Sequence, residues 1–347
     1  MQNLLDPAIL FFVFGVLAGF VKSNLEIPPA ISRFLSLYLL MALGLKGGFA
    51  LSHSGLTADV GLSLAAAMTL AIVVPLMGYH FLRRFVSGFD AAAVAATYGS
   101  VSAVTFVTAV QFLENQHISY GGHMAAAMAL MESPAIIMAV VFANALRQKA
   151  AGVASVGAHV GVHVGGGTAA LTGEPGGHSG GKAGVSVGKI LHESFTDGAQ
   201  LLLLGAMAVG LITGESGKAA MQPFSGDLFK GMLAFFLLDM GLNAARNLPQ
   251  VKGKSPVLVA YAVLGPVVHA SLALGLSMLL ELPAGDATLL MVLAASASYI
   301  AVPAVLRYAL PEANPSLYFG LSLGVTFPLN ILIGIPTYAS VAQALLG

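Results

Sequence analysis

The chain has 347 residues, 57% hydrophobic and 9% charged, and its 15 Lys and Arg balance its 15 Asp and Glu. Soluble domains carry roughly 25% charged residues, so the composition excludes an ordinary soluble protein, and zero net charge gives no basis for nucleic-acid binding. The lack of cysteine excludes disulfides, thiolate metal sites and cysteine nucleophiles.

Repeated long apolar runs predict an all-α polytopic membrane protein. The N-terminal MQNLLDPAIL carries an acid and no basic n-region, so it reads as the approach to a first span and not as a cleaved signal peptide. Ten transmembrane helices are predicted, at residues 7–22, 31–52, 60–82, 90–112, 123–146, 197–214, 228–248, 256–280, 287–307 and 317–345. Residues 147–193 form a linker too rich in glycine to hold a packed core, and a flexible loop is expected there.

Basic residues set the orientation. The odd-numbered loops, the linker among them, hold Lys22, Arg33, Arg83, Arg84, Arg147, Lys149, Lys182, Lys189, Arg246, Lys252, Lys254 and Arg307, whereas the even-numbered loops hold Lys218, with Lys230 just inside the next span. By the positive-inside rule the odd loops are cytoplasmic and both termini lie outside.

Five spans on each side of the linker predict a duplication. The fourth-span stretch AATYGSVSAVTFVTAV (95–110) overlays LAASASYIAVPAVLRY (293–308) without gaps, matching Ala96, Ser100, Ala103, Val104 and Val107 to Ala294, Ser298, Ala301, Val302 and Val305. MALGLKGG (41–48) parallels LDMGLNAA (238–245), Asp90 parallels Asp286, and Pro134 parallels Pro328. The expected organisation is therefore a 5+5 inverted repeat: a first repeat at 1–146, the linker at 147–193 and a second repeat at 194–347. Inverted repeats typify secondary transporters, whose sites lie near the midplane on interrupted helices.

The fourth and ninth spans both read as broken. Pro303 lacks an N–H and is favoured at a helix start, so a half-helix is expected from 303 onward. Its counterpart starts near Ala103 with Ser102 as N-cap. Both half-helix N-termini then point at the midplane, each with free amides and about half a positive charge, which suits a small oxygen-rich anion. The expected anion site comprises Gly99, Ser100, Val101, Ser102, Ala103, Thr105, Ser298, Ala301 and Val302, with Tyr98 and Tyr299 as lining. Free carbonyls ending the first half-helices attract a cation. Hydroxyl, carboxylate and carbonyl oxygens suit an alkali ion, and the candidate cation ligands are Glu132, Ser296, Thr326 and Asn330, with Asp239 and Asn243 of the seventh span. Asp239 is equally readable as the ion-pair partner of Lys46. His80 and His269 read as helix-packing residues. His159 and His163 stand four apart, but in a glycine-rich setting, so no transition metal and no organic cofactor is expected. No nucleophile–base motif supports an enzyme. Carriers of larger organic anions, sodium–proton antiporters and anion channels are competing readings, and nitrate or formate fits the pocket logic.

The segments MQNLLDPAILFFVFGVLAGFVKSNLEIPPAISRFLSLYLLMALGLKGG, TYGSVSAVTFVTAVQFLE (97–114), MESPAIIMAV (131–140) and SASYIAVPAV (296–305) resemble the cyanobacterial SbtA-type sodium-dependent bicarbonate transporters over nearly the whole chain. The resemblance implies sodium-driven bicarbonate uptake across the plasma membrane for carbon concentration. It also implies a homotrimer with a gate domain (spans 1, 2, 6, 7) and a core (spans 3–5, 8–10) carrying two crossed broken helices, elevator-like transport, and a cytoplasmic PII-like regulatory partner, SbtB.

Overall fold

In the computed structural model, which describes residues 6–55, 57–159 and 198–347, the chain is helical, with no strand among the described residues. Helix α1 (Pro7–Phe20) starts at Pro7 and is capped by Asp6, whose carboxylate accepts the Ala8 amide at 2.8 Å. Helices α2 (Pro29–Ser54) and α3 (Ala58–Leu82) follow, then the pair α4 (Gly88–Gly99) and α5 (Ala103–Asn115), and α6 (Met124–His159). After the undescribed residues come α7 (Gly198–Met221), α8 (Phe229–Asn247), α9 (Pro256–Leu279), and a second interrupted pair, α10 (Ala284–Ala295) and α11 (Ala301–Ala309). The last helix, α12 (Pro315–Leu346), contains two π turns at Ser322–Thr326 and Asn330–Gly334.

Seven of these segments are long and apolar enough to cross a membrane. One of them, Gly198–Val251, joins α7 and α8, while α1 and α10 fall among the shorter apolar helices. The sixth predicted span extends past residue 214 to Met221, with a kink at Gly214, whose φ of 55° lies in the left-handed region. The linker differs from expectation at its start. Residues 147–159 continue α6 as helix, because the alanines in QKAAGVAS sustain it. Residues 160–193 of the linker, His163 included, lie outside the described residues.

Two groups of helices organise the fold. Helices α1, α2, α7 and α8 pack chiefly on one another: α1 lies along α8 and α2 along α7. In the other group α3 packs on α4 and α6, α9 on α10, and α10 on α12. The α1–α8 and α2–α7 seams are built from small residues. Gly15 faces Leu238 and Gly241, and Gly19 faces Leu242 and Ala245, so positions rise together and the two helices run parallel. Gly44 against Leu203 and Ala206, and Gly48 against Met207 and Gly210, repeat this arrangement. Small residues four apart let helix backbones touch, which is how helices gain contact where lipid offers no hydrophobic drive.

A Cβ at Gly48 would run into the Met207 carbonyl and the Leu211 amide, whereas one at Gly205, on the same seam's outer side, would meet nothing within 4 Å. Gly48→Ala should therefore cost about 1–3 kcal/mol through overpacking, while Gly205→Ala should gain about 0.5–1 kcal/mol of helix stability. Melting temperatures of the purified variants in one detergent check this; a common sign for both substitutions would show that the seam is not close-packed.

Candidate functional site

Each break exists because its local sequence stops one helix and starts another. Helix α4 ends at Gly99, Ser100 is extended (φ −94°, ψ −176°), and Ser102 caps α5 by accepting the Thr105 amide at 3.2 Å. Gly99 abuts the ring of Pro75 from α3, so any side chain there would collide. In the second break Ser296 leaves the helical region, and Ser298 Oγ accepts the Val302 amide at 3.3 Å. Helix α11 starts at Ala301, two residues before the predicted Pro303. Pro303 sits in the first turn, where its missing N–H leaves no helical bond unmade.

The two breaks satisfy each other. The Ser298 amide donates to the Thr97 carbonyl at 2.8 Å, and the Ser102 amide donates to Ser296 Oγ at 3.0 Å. Ser296 Oγ in turn donates to the Leu293 carbonyl at 2.9 Å. These groups are buried. The carbonyl ends are therefore less free than the sequence implies: Ser298 takes Thr97 O, and Asn330 Nδ2 takes Ala295 O at 2.8 Å. Each carbonyl keeps a second lone pair.

A cavity of about 240 Å³ opens on this crossing. From the predicted anion site, Val101, Ser102, Ala103, Ser298 and Ala301 line it, as does Tyr299. Gly99, Ser100, Thr105 and Val302 stand behind the wall. Thr105 Oγ1 donates to Ser102 Oγ at 2.9 Å, and Ser100 Oγ is buried without a hydrogen-bond partner among the described residues. The first-turn amides of α5 and α11 have no intrahelical acceptors, so two partly positive helix ends face the cavity.

The predicted cation ligands divide. Glu132 of α6 lines the cavity and accepts Gln200 Nε2 of α7 at 2.7 Å. Thr326 and Asn330 lie on or beside the π turns of α12. Thr326 donates to the Ala262 carbonyl at 2.7 Å, so Tyr98 is the donor in the 2.6 Å Tyr98–Thr326 bond. Asn330 Oδ1 accepts Tyr338 Oη at 3.2 Å. Asp239 and Asn243 form a separate group: Asp239 accepts Ser32 Oγ at 2.5 Å and Asn243 Nδ2 at 3.2 Å.

The proposed Lys46–Asp239 pair does not form. Lys46 Nζ binds both oxygens of Glu114 at 2.9 and 3.0 Å and lies 4.1 Å from the centroid of Phe229. Helices α2 and α8 run antiparallel, which sets Lys46 beside Phe229 and Ser32 beside Asp239. Asp239 is ten residues, about 15 Å, further along α8 than Phe229. His80 bonds the carbonyl one turn back, Leu76 O, at 2.9 Å, whereas Nδ1 of buried His269 has no hydrogen-bond partner among the described residues. Ser36, Gln200 and the π turns were not signalled as site features. The π turns had a signal in Pro328 and Pro336, which remove two amides from one helix. Among the described residues no group of three or more His, Asp or Glu is placed to hold a metal ion.

A search of curated proteins returns no match. Residues 7–343 match the family model described as the Na+-dependent bicarbonate transporter superfamily. That match takes in every described helix almost to its end, both breaks and the cavity between them, and the chain belongs to the Na+-dependent bicarbonate transporter superfamily.

Proposed function

We propose that the chain is a sodium-coupled symporter that imports bicarbonate, held at the N-termini of α5 and α11. One observation carries this reading. The cavity is lined by two helix starts and by Ser102 and Ser298, and its described lining includes one acid, Glu132, and no Lys, Arg or His. An anion there must be bound by amides and hydroxyls. The Glu132 carboxylate then repels it unless a cation is bound with it, which ties the two solutes together. Sodium, a hard ion, matches carboxylate, hydroxyl and carbonyl oxygens.

On this reading the segments form ten spans in two inverted five-helix repeats, α4–α5 and α10–α11 counting as one broken span each. The parallel seams α1–α8 and α2–α7 support it, because a two-fold axis in the membrane plane would exchange them. The α1–α2–α7–α8 group serves as scaffold and the remainder as a core that carries the site in an elevator-like movement. The basic loops face the cytoplasm and both termini face outward in the plasma membrane. A homotrimer and a PII-like regulatory partner on the cytoplasmic face complete the proposal. Of the candidate ligands only Glu132 lines the cavity, so it is the one this reading places first, a sodium ion sharing its carboxylate with Gln200 Nε2.

The decisive experiment is uptake of radiolabelled bicarbonate into proteoliposomes, with sodium or choline outside, at a pH where bicarbonate dominates over carbon dioxide. Uptake should require the inward sodium gradient; sodium-independent uptake overturns the symporter reading in favour of a channel. Within that assay, Ser102→Ala should raise the KM for bicarbonate about tenfold, since a hydrogen bond to a charged group contributes about 1.5–3 kcal/mol. An unchanged KM in a folded variant would return Ser102 to a capping role. Glu132→Gln should raise the sodium concentration for half-activation at least tenfold, and an unaltered sodium curve would remove Glu132 from the cation site.

A further inference from the structure

From the binding cavity, α5 runs from Ala103 to Asn115, about 18 Å in helix rise, to the opposite side of the crossing. Its far end is tied to three helices of the other group. Glu114 pairs with Lys46 of α2 at 2.9 Å. Asn115 Oδ1 accepts Lys230 Nζ of α8 at 3.0 Å, and Asn115 Nδ2 donates to Asp6, the cap of α1, at 2.8 Å. Tyr120, in the following loop, donates to Glu114 Oε1 at 3.0 Å. Burial, followed by the Glu114 charge, pushes the Tyr120 phenol pKa upward, which keeps it a donor. Beside it, Gly122 touches the backbone of Gly47 of α2.

Lys46, Glu114, Tyr120 and Lys230 of this cluster line a second, wider cavity of about 680 Å³, a vestibule that Lys218 also lines, while Asn115 stands beside them outside its wall. The ion pair therefore lies between a vestibule and the core. Glu114 also breaks a local rule. It stands in the last turn of α5, beside the negative end of the helix dipole, where a carboxylate is disfavoured. Nothing in α5 compensates; Lys46, from the other helix group, does. Its side chain is 19% exposed and that of Glu114 is 31% exposed, so the pair is neither fully screened nor deeply buried, and it can break and re-form at modest cost. Residues that break a local rule and whose counter-charge comes from across an interface mark functional positions.

We infer that Lys46, Glu114 and Asn115 form a gate that closes the vestibule in the state seen here and opens once per transport cycle. Helix α5 links the gate to the site, because one rigid helix carries Ser102 at its start and Glu114 at its end. The inference rests on the transporter reading above. It assigns Lys46 and Glu114 as positioning residues that set which side is open, and neither contacts the solute.

The cysteine-free chain allows a direct test. Ala125, 3% exposed, lies beneath the gate and faces Gly47; Ala304 lines the binding cavity on the other side of the crossing. Ala125→Cys and Ala304→Cys are introduced singly, and each is labelled with a membrane-impermeant maleimide in oriented vesicles. In either background Lys46→Gln should raise the labelling rate at position 125 about tenfold and lower it at position 304. Lys46→Arg should leave both near the parent values, and the charge swap Lys46→Glu with Glu114→Lys should restore them. Glu114→Gln provides the same test if Lys46→Gln fails to fold. Unchanged labelling at position 125, or an increase that the charge swap does not reverse, would overturn the gate. Labelling needs no bicarbonate, so this outcome is separable from the uptake assay: an intact gate with no sodium-driven uptake would instead refute the symporter reading.

Discussion

Everything at the centre of this protein depends on three backbone groups that a membrane would otherwise leave unpaired. Breaking a helix in hydrocarbon exposes amides and carbonyls at several kcal/mol each. Here two breaks are placed against one another, so that the Ser298 amide finds Thr97 O and the Ser102 amide finds Ser296 Oγ. Neither break is tolerable alone. Once crossed, they leave the first-turn amides of α5 and α11 that Ser102 and Ser298 do not cap to face a cavity, and a polar site appears with no basic residue in its described lining.

The two helix groups complement this arrangement mechanically. Around α1–α8 and α2–α7 the contacts are backbone against backbone, through Gly15, Gly44, Gly48, Gly210 and Gly241. Such seams hold their register, because a slip of one residue brings side chains into carbonyls. The interface between the groups is mixed: Gly122 meets the backbone of Gly47 there. At the far end of α5 it relies on long polar side chains, Lys46, Glu114, Asn115 and Lys230. Bonds of that type exchange readily with water and with other partners. On the proposed reading, rigid seams within a group and exchangeable bonds between groups serve a relative movement of two bodies.

How much of this was legible in the sequence depended on whether the determinant was local. Ser102 as a cap, Ala103 as a helix start and the break before Pro303 follow from capping and proline chemistry acting within three residues. Even there the start of α11 was read two residues late, because proline is tolerated anywhere in a first turn. The internal likeness of residues 95–110 and 293–308 pointed to the crossing itself. The Lys46–Asp239 pair that the sequence allows does not form for a tertiary reason: the antiparallel register of α2 and α8, which places Lys46 by Phe229 and Asp239 by Ser32, has no signature in either segment. Ser36 and Gln200 are single polar residues on apolar helices, and only the fold shows that they face the cavity. The carbonyl ends were read as open because Asn330, 35 residues after Ala295, could not be seen to reach back.

On the proposed reading, the electrostatics of the cavity connect two solutes. An anion entering a cell with an inside-negative potential is opposed by about 2.3 kcal/mol per 100 mV. One sodium ion travelling with it cancels that term, and a tenfold sodium gradient then supplies about 1.4 kcal/mol, or tenfold accumulation. The same neutralisation is needed locally. With Glu132 ionised and no cation, the cavity contains a full negative charge opposed by two helix ends of about half a positive charge each, which leaves nothing to attract a second anion. With sodium beside Glu132, the helix ends are again available to bicarbonate. On the proposed reading, coupling therefore requires no long-range signal: the carboxylate makes anion binding conditional on the cation within a single cavity.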